Sequence, residues 1–242
     1  MKLSSFQTRR AFTLIELLVT IAVIAVLAGI LIPVVGNVRQ SAKETQSLSN
    51  LRQIAVAMQM YTSEHNGLYP PGYFYKPGEG ERIWTIELIP YVEQLNASNS
   101  SSSNVFVSPL VDSDIRMGDL DLGRMPSTYS VHGALCPNIS STDTRPPTWT
   151  ILNPAKLILV GEATLRSNNT YASATFNTPS AFKTIGGVTN LKEPIPTNSS
   201  ADGTGGALSY RANGKTLVGF VDGHAEAMVK GEVLYENIVV QK

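Results

Sequence analysis

Cysteine is almost missing: Cys136 is the sole thiol in 242 residues, so no disulfide can form within one chain and the fold must rest on its core and hydrogen bonds. Charge is scarce too. Lys+Arg and Asp+Glu both number 19, and charged residues make up 16% of the chain. No net field favours nucleic acid, and no basic patch is interleaved with aromatics. The motifs G-x-S-x-G, Walker A and H-E-x-x-H do not occur, so the chain offers none of the usual catalytic signatures and is not expected to be an enzyme. Low charge with plentiful Gly, Ser, Thr, Asn and Pro suits a loop-rich exported β domain. The length fits one anchor and one globular domain.

Against this background one feature dominates. Residues 17–36 read LLVTIAVIAVLAGILIPVVG, without a charged residue. A helix rises about 1.5 Å per residue, so about 20 apolar residues span a hydrocarbon core of about 30 Å. Lys2, Arg9 and Arg10 precede the run, which favours a cytoplasmic N-terminus, although Arg39 and Lys43 beyond it reduce the asymmetry. A secretory signal peptide also pairs basic residues with an apolar run, but its apolar part is shorter, and no small-x-small cleavage site follows here. An ordinary anchor leaves Glu16 unexplained: a carboxylate at the edge of an apolar span calls for a function.

The stretch from Arg9 to Leu18, RRAFTLIELL, resembles the prepilin cleavage and methylation motif shared by type IV pilins and type II secretion pseudopilins. The resemblance implies removal of residues 1–11 by a prepilin peptidase in the bacterial inner membrane, cutting between Ala11 and Phe12, and N-methylation of Phe12. It also implies that Glu16 serves methylation and assembly, neutralising the terminal amine of a neighbouring subunit. A carboxylate among apolar helices costs several kcal/mol unless a cation meets it, so such a pair would select register. Pro33 matches the family's helix kink; proline removes a donor and clashes with the preceding turn, so a bend or local melting is expected. Ala11 departs from the glycine usual before the cleaved bond.

Beyond the membrane span the pattern turns amphipathic. Val38, Ala42, Leu48, Leu51, Ile54, Ala55, Met58 and Tyr61 recur at helical steps, with Arg39, Lys43, Glu44, Gln46 and Arg52 opposite. Met58 and Met60 are expected to be packing residues. Asn66-Gly67 and then Pro70-Pro71 end the helix. Residues 83–95 read as a short helix interrupted at Pro90, residues 97–104 as a polar low-complexity loop, residues 156–161 as a buried strand and residues 189–206 as an exposed excursion.

Near the end, residues 207–212, 215–221 and 224–229 read as three strands separated by Asn213-Gly214 and Asp222-Gly223. Both pairs suit two-residue type I′ loops, giving an antiparallel meander whose Leu217, Phe220, Val221, Met228 and Val229 would cover the amphipathic half of the long helix. Helix on sheet makes the fold α+β. The segment 207–229 resembles the C-terminal signature of prepilin-type proteins with the processing-associated H-x9-DG domain, but Ala212 stands where that family has its histidine, so no role for the histidine carries over. Phe106-Val107-Ser108-Pro109 falls where many relatives have Cys-Pro. Together the resemblances imply a leader (1–11), a transmembrane helix (12–36), its amphipathic continuation (37–66) and an extracytoplasmic pilin-like domain (67–242).

Other candidates are weaker. Asp222, His224 and Glu226 offer ligand types for a metal, but a turn explains the aspartate, so no metal site is assigned. Asp112, Asp114, Asp119 and Asp121 would accept calcium, without EF-hand spacing; an acidic loop is the simpler reading, and no cofactor is expected. Cys136 with His132 resembles a thiol dyad only in composition. Glu162, closing a strand, reads as a solvated edge carboxylate. The expected function is a structural subunit of a type IV pilus or type II secretion pseudopilus, whose partners are prepilin peptidase, other subunits and inner-membrane lipid. The alternative is a membrane-anchored module that binds carbohydrate or protein, with Tyr69, Tyr73, Phe74 and Tyr75 as its aromatic face.

Overall fold

A computed structural model describes residues 13–78, 80–95, 105–111, 127–139, 151–165, 172, 174–176, 191–195, 207–238 and 240. The chain forms two compact units, Met1–Ala42 and Lys43–Lys242. One helix, α1 (Leu14–Glu64), contributes to both. It is followed by β1 (Tyr73–Lys76), β2 (Gly80–Ile83), α2 (Trp84–Leu95), β3 (Tyr129–His132), β4 (Asn138–Ile139), β5 (Ile158–Glu162), β6 (Thr175–Phe176), β7 (Lys215–Phe220), β8 (Ala225–Val229) and a 3-10 turn at Tyr235–Asn237.

In the first unit, α1 stays helical through Pro33, so the local melting expected there is not seen. Proline has no amide hydrogen to give the carbonyl four residues back, at Gly29. The apolar side chains of this unit are exposed, from Leu14 at 81% to Val38 at 60%.

In the second unit the remaining turns of α1 bury a stripe: Ser47, Asn50, Leu51, Ile54, Ala55, Ala57, Met58 and Tyr61, the three- and four-residue spacing that keeps side chains on one face. Met58 is buried and Met60 partly so, both packing in the same cluster. The helix ends where Asn66 and Gly67 take φ of 54° and 79° and the Gly67 amide reaches back to the Thr62 carbonyl at 2.7 Å. Only glycine, or asparagine at modest cost, enters that left-handed region readily. Against expectation, Pro90 does not interrupt α2. Trp84, Leu88, Tyr91 and Val92 lie on one helical face and are all buried, and that burial outweighs the cost of about 3 kcal/mol for an interior proline.

The strands form two sheets, β2-β1-β4 and β6-β3-β5-β7-β8. The ladders are antiparallel except for two short parallel pairs, β1 with β4 and β3 with β6, so the α+β class holds and the sheets are mixed. β5 is buried throughout, as its apolar run implies.

The C-terminal meander is corrected in three respects. Residues 207–212 form no strand; they make isolated bridges at Ala163–Leu208 and Ala212–Lys215, and β5 takes the place beside β7. Asn213 and Gly214 do form a two-residue loop, with φ of 50° and 79°. At the second turn only Gly223 is left-handed, at 96°. Its amide donates to the Phe220 carbonyl while the Phe220 amide donates to His224, which is a three-residue loop with a glycine bulge.

Strand alternation then divides the side chains. Leu217, Val221 and Ala225 join the cluster containing Leu51, Ile54 and Met58. Phe220 and Met228 join a second cluster with Ile158, Val218, Val233 and Ile238, and Val229 is 45% exposed. The long helix is therefore met by a narrower face than expected. Gly219 lies in it: a Cβ there would sit 3.2 Å from the Leu51 carbonyl oxygen and 3.0 Å from Val160 Cγ1.

Candidate functional site

The first turn of α1 carries the chemistry of the N-terminal motif. Thr13 precedes the helix, and its Oγ1 accepts the Glu16 amide at 3.3 Å. In return Glu16 Oε2 accepts the Thr13 amide at 2.9 Å and the Thr13 hydroxyl at 2.8 Å. This reciprocal arrangement is a capping box, which satisfies donors that the start of any helix leaves without partners. It also keeps the carboxylate at the positive end of the helix dipole. The Thr-x-x-Glu spacing was visible in the sequence and is the signal that identifies Thr13 as the partner of Glu16. Three residues into the apolar run, the Thr20 hydroxyl donates to the Leu17 carbonyl at 2.8 Å, so its polar group is satisfied within the helix, as a lipid setting requires. The helix is long and apolar enough to cross a membrane. Ala11 and Phe12 lie outside the described residues, as do Asp112, Asp114, Asp119 and Asp121.

The second concentration of polar chemistry was missed. Glu162 is not a solvated edge carboxylate; it is fully buried. Its Oε1 accepts the Ser47 hydroxyl at 2.9 Å and the Ser108 hydroxyl. Ser47, having spent its proton, accepts that of Tyr129 at 2.8 Å. Arg211 brings its Nε to 3.7 Å from Glu162 Oε2 and also donates to Ser209 Oγ and the Ala163 carbonyl. Burial pushes the Glu162 carboxyl above the ordinary carboxylate range, while Arg211 and the two serines pull it back. Burial likewise lowers the Arg211 guanidinium, opposed by Glu162. The cluster joins α1, the Ser108 loop, β3, β5 and Arg211, two residues ahead of Asn213. With Ser47, Ser108, Tyr129 and Glu162 almost wholly buried, it has the character of a structural ion pair.

Cys136 and His132 are both buried, but both ring nitrogens of His132 serve backbone partners. His132 Nε2 meets the Ile238 carbonyl at 2.8 Å, and Nδ1 accepts the Ala134 and Leu135 amides at 3.2 and 3.4 Å. Burial raises the Cys136 thiol well above its usual range, the reverse of what a nucleophile requires.

Asp222 Oδ1 lies 2.5 Å from His224 Nδ1 and accepts the His224 amide at 3.1 Å, while the imidazole stacks on Phe220. Among the described residues no group of three or more His, Cys, Asp and Glu is placed to hold a metal. The aromatic cluster is divided: Tyr69 packs against the core, Phe74 pairs across the hairpin with Arg82, and Tyr75 is half exposed.

Comparison with known proteins finds family matches over both parts of the chain. No curated protein and no solved structure matches it. The prokaryotic N-terminal methylation motif matches residues 7–32, the segment holding the Thr13–Glu16 turn and most of the apolar run, so the chain has a pilin-type N-terminus. A second model, described as a protein of unknown function (DUF1559), matches residues 36–240. The chain therefore belongs to the DUF1559 family and carries a prepilin-type N-terminus.

Proposed function

We propose that this protein is a structural subunit of a type IV pilus or type II secretion pseudopilus, processed by prepilin peptidase and assembled through its N-terminal helix. The observation that carries the reading is the first turn of α1, where Glu16 is held by Thr13 directly ahead of an uncharged apolar run. A lone carboxylate in that place is costly in lipid and becomes favourable when a neighbour's ammonium meets it. Cleavage between Ala11 and Phe12 would create such an ammonium. One oxygen of Glu16 serves its own cap through both bonds, and the same carboxylate retains acceptor capacity for a second donor.

In this reading residues 1–11 are the leader, residues 12–36 the single inner-membrane span with a cytoplasmic N-terminus, and the second unit is extracytoplasmic. The activity is assembly, and no cofactor is required. The acidic residues at 112, 114, 119 and 121 are the calcium candidates, and a melting curve unchanged by calcium would remove them. Mass spectrometry of the membrane fraction should find a chain that begins at methylated Phe12, and Glu16→Ala should be processed yet stay out of sheared filaments. A functional form that keeps its first eleven residues would end this reading.

A further inference from the structure

Alternation along β3 sends Tyr129 and Val131 into the cluster packed on α1 and His132 to the opposite face of the five-stranded sheet. There its ring lies 5.3 Å from that of Phe176, centroid to centroid. The same face is covered by a strap of the chain itself, residues 233–238, whose Val233 and Ile238 are buried with Ile158, Val218 and Phe220. Tyr235 and Glu236 fasten the strap by donating their amides to the Glu193 and Leu191 carbonyls at 3.0 and 2.9 Å. Asn237 donates Nδ2 to the Lys156 carbonyl at 2.9 Å, and Lys156 pairs with Glu236 at 3.2 Å. At Ile238 the strap rests on His132, whose Nε2 donates to the Ile238 carbonyl at 2.8 Å.

That seat suits a neutral ring only. Nδ1 accepts the Ala134 and Leu135 amides, so a second proton placed there would face two donors and find no acceptor. A charged imidazole must turn toward water, and Ile238 closes that path while the strap is down. Among the described residues the ring's partners are these backbone groups and Phe176, none of them charged. Cys136, which gives its amide to the His132 carbonyl, keeps its proton in acid and neutral solution because burial raises its thiol. The charged pair Lys156–Glu236 holds the strap, not the ring.

We propose that His132 makes this strap an acid-released cover: a protonated imidazole keeps Ile238 from reseating and leaves the sheet face at Ile158, Val218 and Phe220 open. The strap is the part that moves, because β3 is paired on both sides, with β5 and β6, while residues 233–238 belong to neither sheet. The inference concerns the second unit alone and stands whether or not the chain builds filaments. Its size follows from proton linkage. The seated ring has a pKa of about 4 and a free one 6.5, so the opening constant should rise about fiftyfold from pH 7 to about pH 4.5.

Amide hydrogen exchange of the full chain in a non-ionic detergent tests this, with each rate divided by that of an unstructured peptide at the same pH. Tyr235, Glu236 and Ile238 should be less protected than Leu217 and Val218 of β7 at both pH values, the mark of a strap that opens while the sheet stays formed. Their protection should fall about fiftyfold at the lower pH. In His132→Gln, whose amide can still donate to Ile238, the fall should disappear. In Glu236→Gln it should persist, which separates the ring from the Lys156–Glu236 pair. Strap amides as slow as Leu217 and Val218, or strap protection unmoved by pH, would overturn the proposal on the unaltered chain alone. A fall that survives in His132→Gln, or is lost in Glu236→Gln, would overturn it as well.

Discussion

Lowering the pH from 7 to about 4.5 should destabilise the second unit through His132. The imidazole is fully buried. Nε2 donates to the Ile238 carbonyl, and Nδ1 faces the amides of Ala134 and Leu135. A second proton, on Nδ1, would meet two donors and no acceptor. Burial accordingly pushes the His132 pKa from 6.5 down to about 4. The unfolded chain therefore takes up this proton first. The stabilisation from His132 is fully present above pH 6.5, is lost as the pH falls toward about 4, and declines no further below that.

At 1.36 kcal/mol per unit, the loss at about pH 4.5 is about 2 to 3 kcal/mol, a large share of a stability of about 5 to 15 kcal/mol. Urea unfolding of the full chain in a non-ionic detergent, followed by tryptophan fluorescence at both pH values, measures it. Carboxylates titrate in the same window, so the reference is His132→Gln, whose amide can still donate to Ile238 but takes up no proton. The unaltered chain should lose about 2 to 3 kcal/mol more than the variant between the two conditions. Parallel losses would refute the argument that Nδ1 is sealed against a proton.

Arg211→Met alone should cost about 3 to 5 kcal/mol, because it leaves the Glu162 carboxylate buried without its cation; Glu162→Leu combined with Arg211→Met should cost less, and denaturant titration reads both. Gly219→Ala should cost about 1 to 3 kcal/mol in the same assay, since its Cβ meets Leu51 and Val160. Thr13→Ala should speed hydrogen exchange of the Glu16 amide severalfold, while Thr13→Ser should not, because the hydroxyl is what that amide bonds. Cys136 should resist a thiol reagent at pH 8 until the domain is unfolded, given its burial and raised pKa.

The parts of the fold that local chemistry dictates were legible. A run of apolar residues with helical spacing ahead of Asn66-Gly67 specified α1 and its end, since the left-handed turn is a property of those two residues. Apolar density alone marked β5. What went unseen depended on residues far apart in sequence. Pro90 looks like a break until Trp84 and Leu88 are known to be buried together. Residues 207–212 look like a third meander strand until β5, some fifty positions earlier, is known to occupy that place. Glu162 was the largest miss for the same reason: its partners lie at 47, 108 and 211, and nothing within a few residues of a carboxylate shows that a serine from a helix will reach it. At the N-terminal site the order is reversed. Thr13 and Glu16 interact over three residues, and a local motif suffices to place them.

One continuous helix thus has two sets of requirements, and its composition follows each in turn. In the second unit, Ser47, Asn50, Leu51, Ile54 and Met58 are buried by the sheet and loops of their own domain, so polar residues are tolerated where a partner waits, as Ser47 finds Glu162. Among the described residues of the first unit no comparable stripe is buried: Leu17, Ile24, Leu31 and the large apolar residues on the other sides of the helix are alike exposed. A helix apolar all round needs an apolar medium on all sides. Under the proposed function, lipid would meet that need before assembly and neighbouring helices of the same kind would meet it afterwards. The transfer between the two changes little for the aliphatic residues, which are equally at home in both. It changes most for Glu16, which is why a substitution at that one carboxylate, with the apolar surface left untouched, is the variant that separates anchoring from assembly.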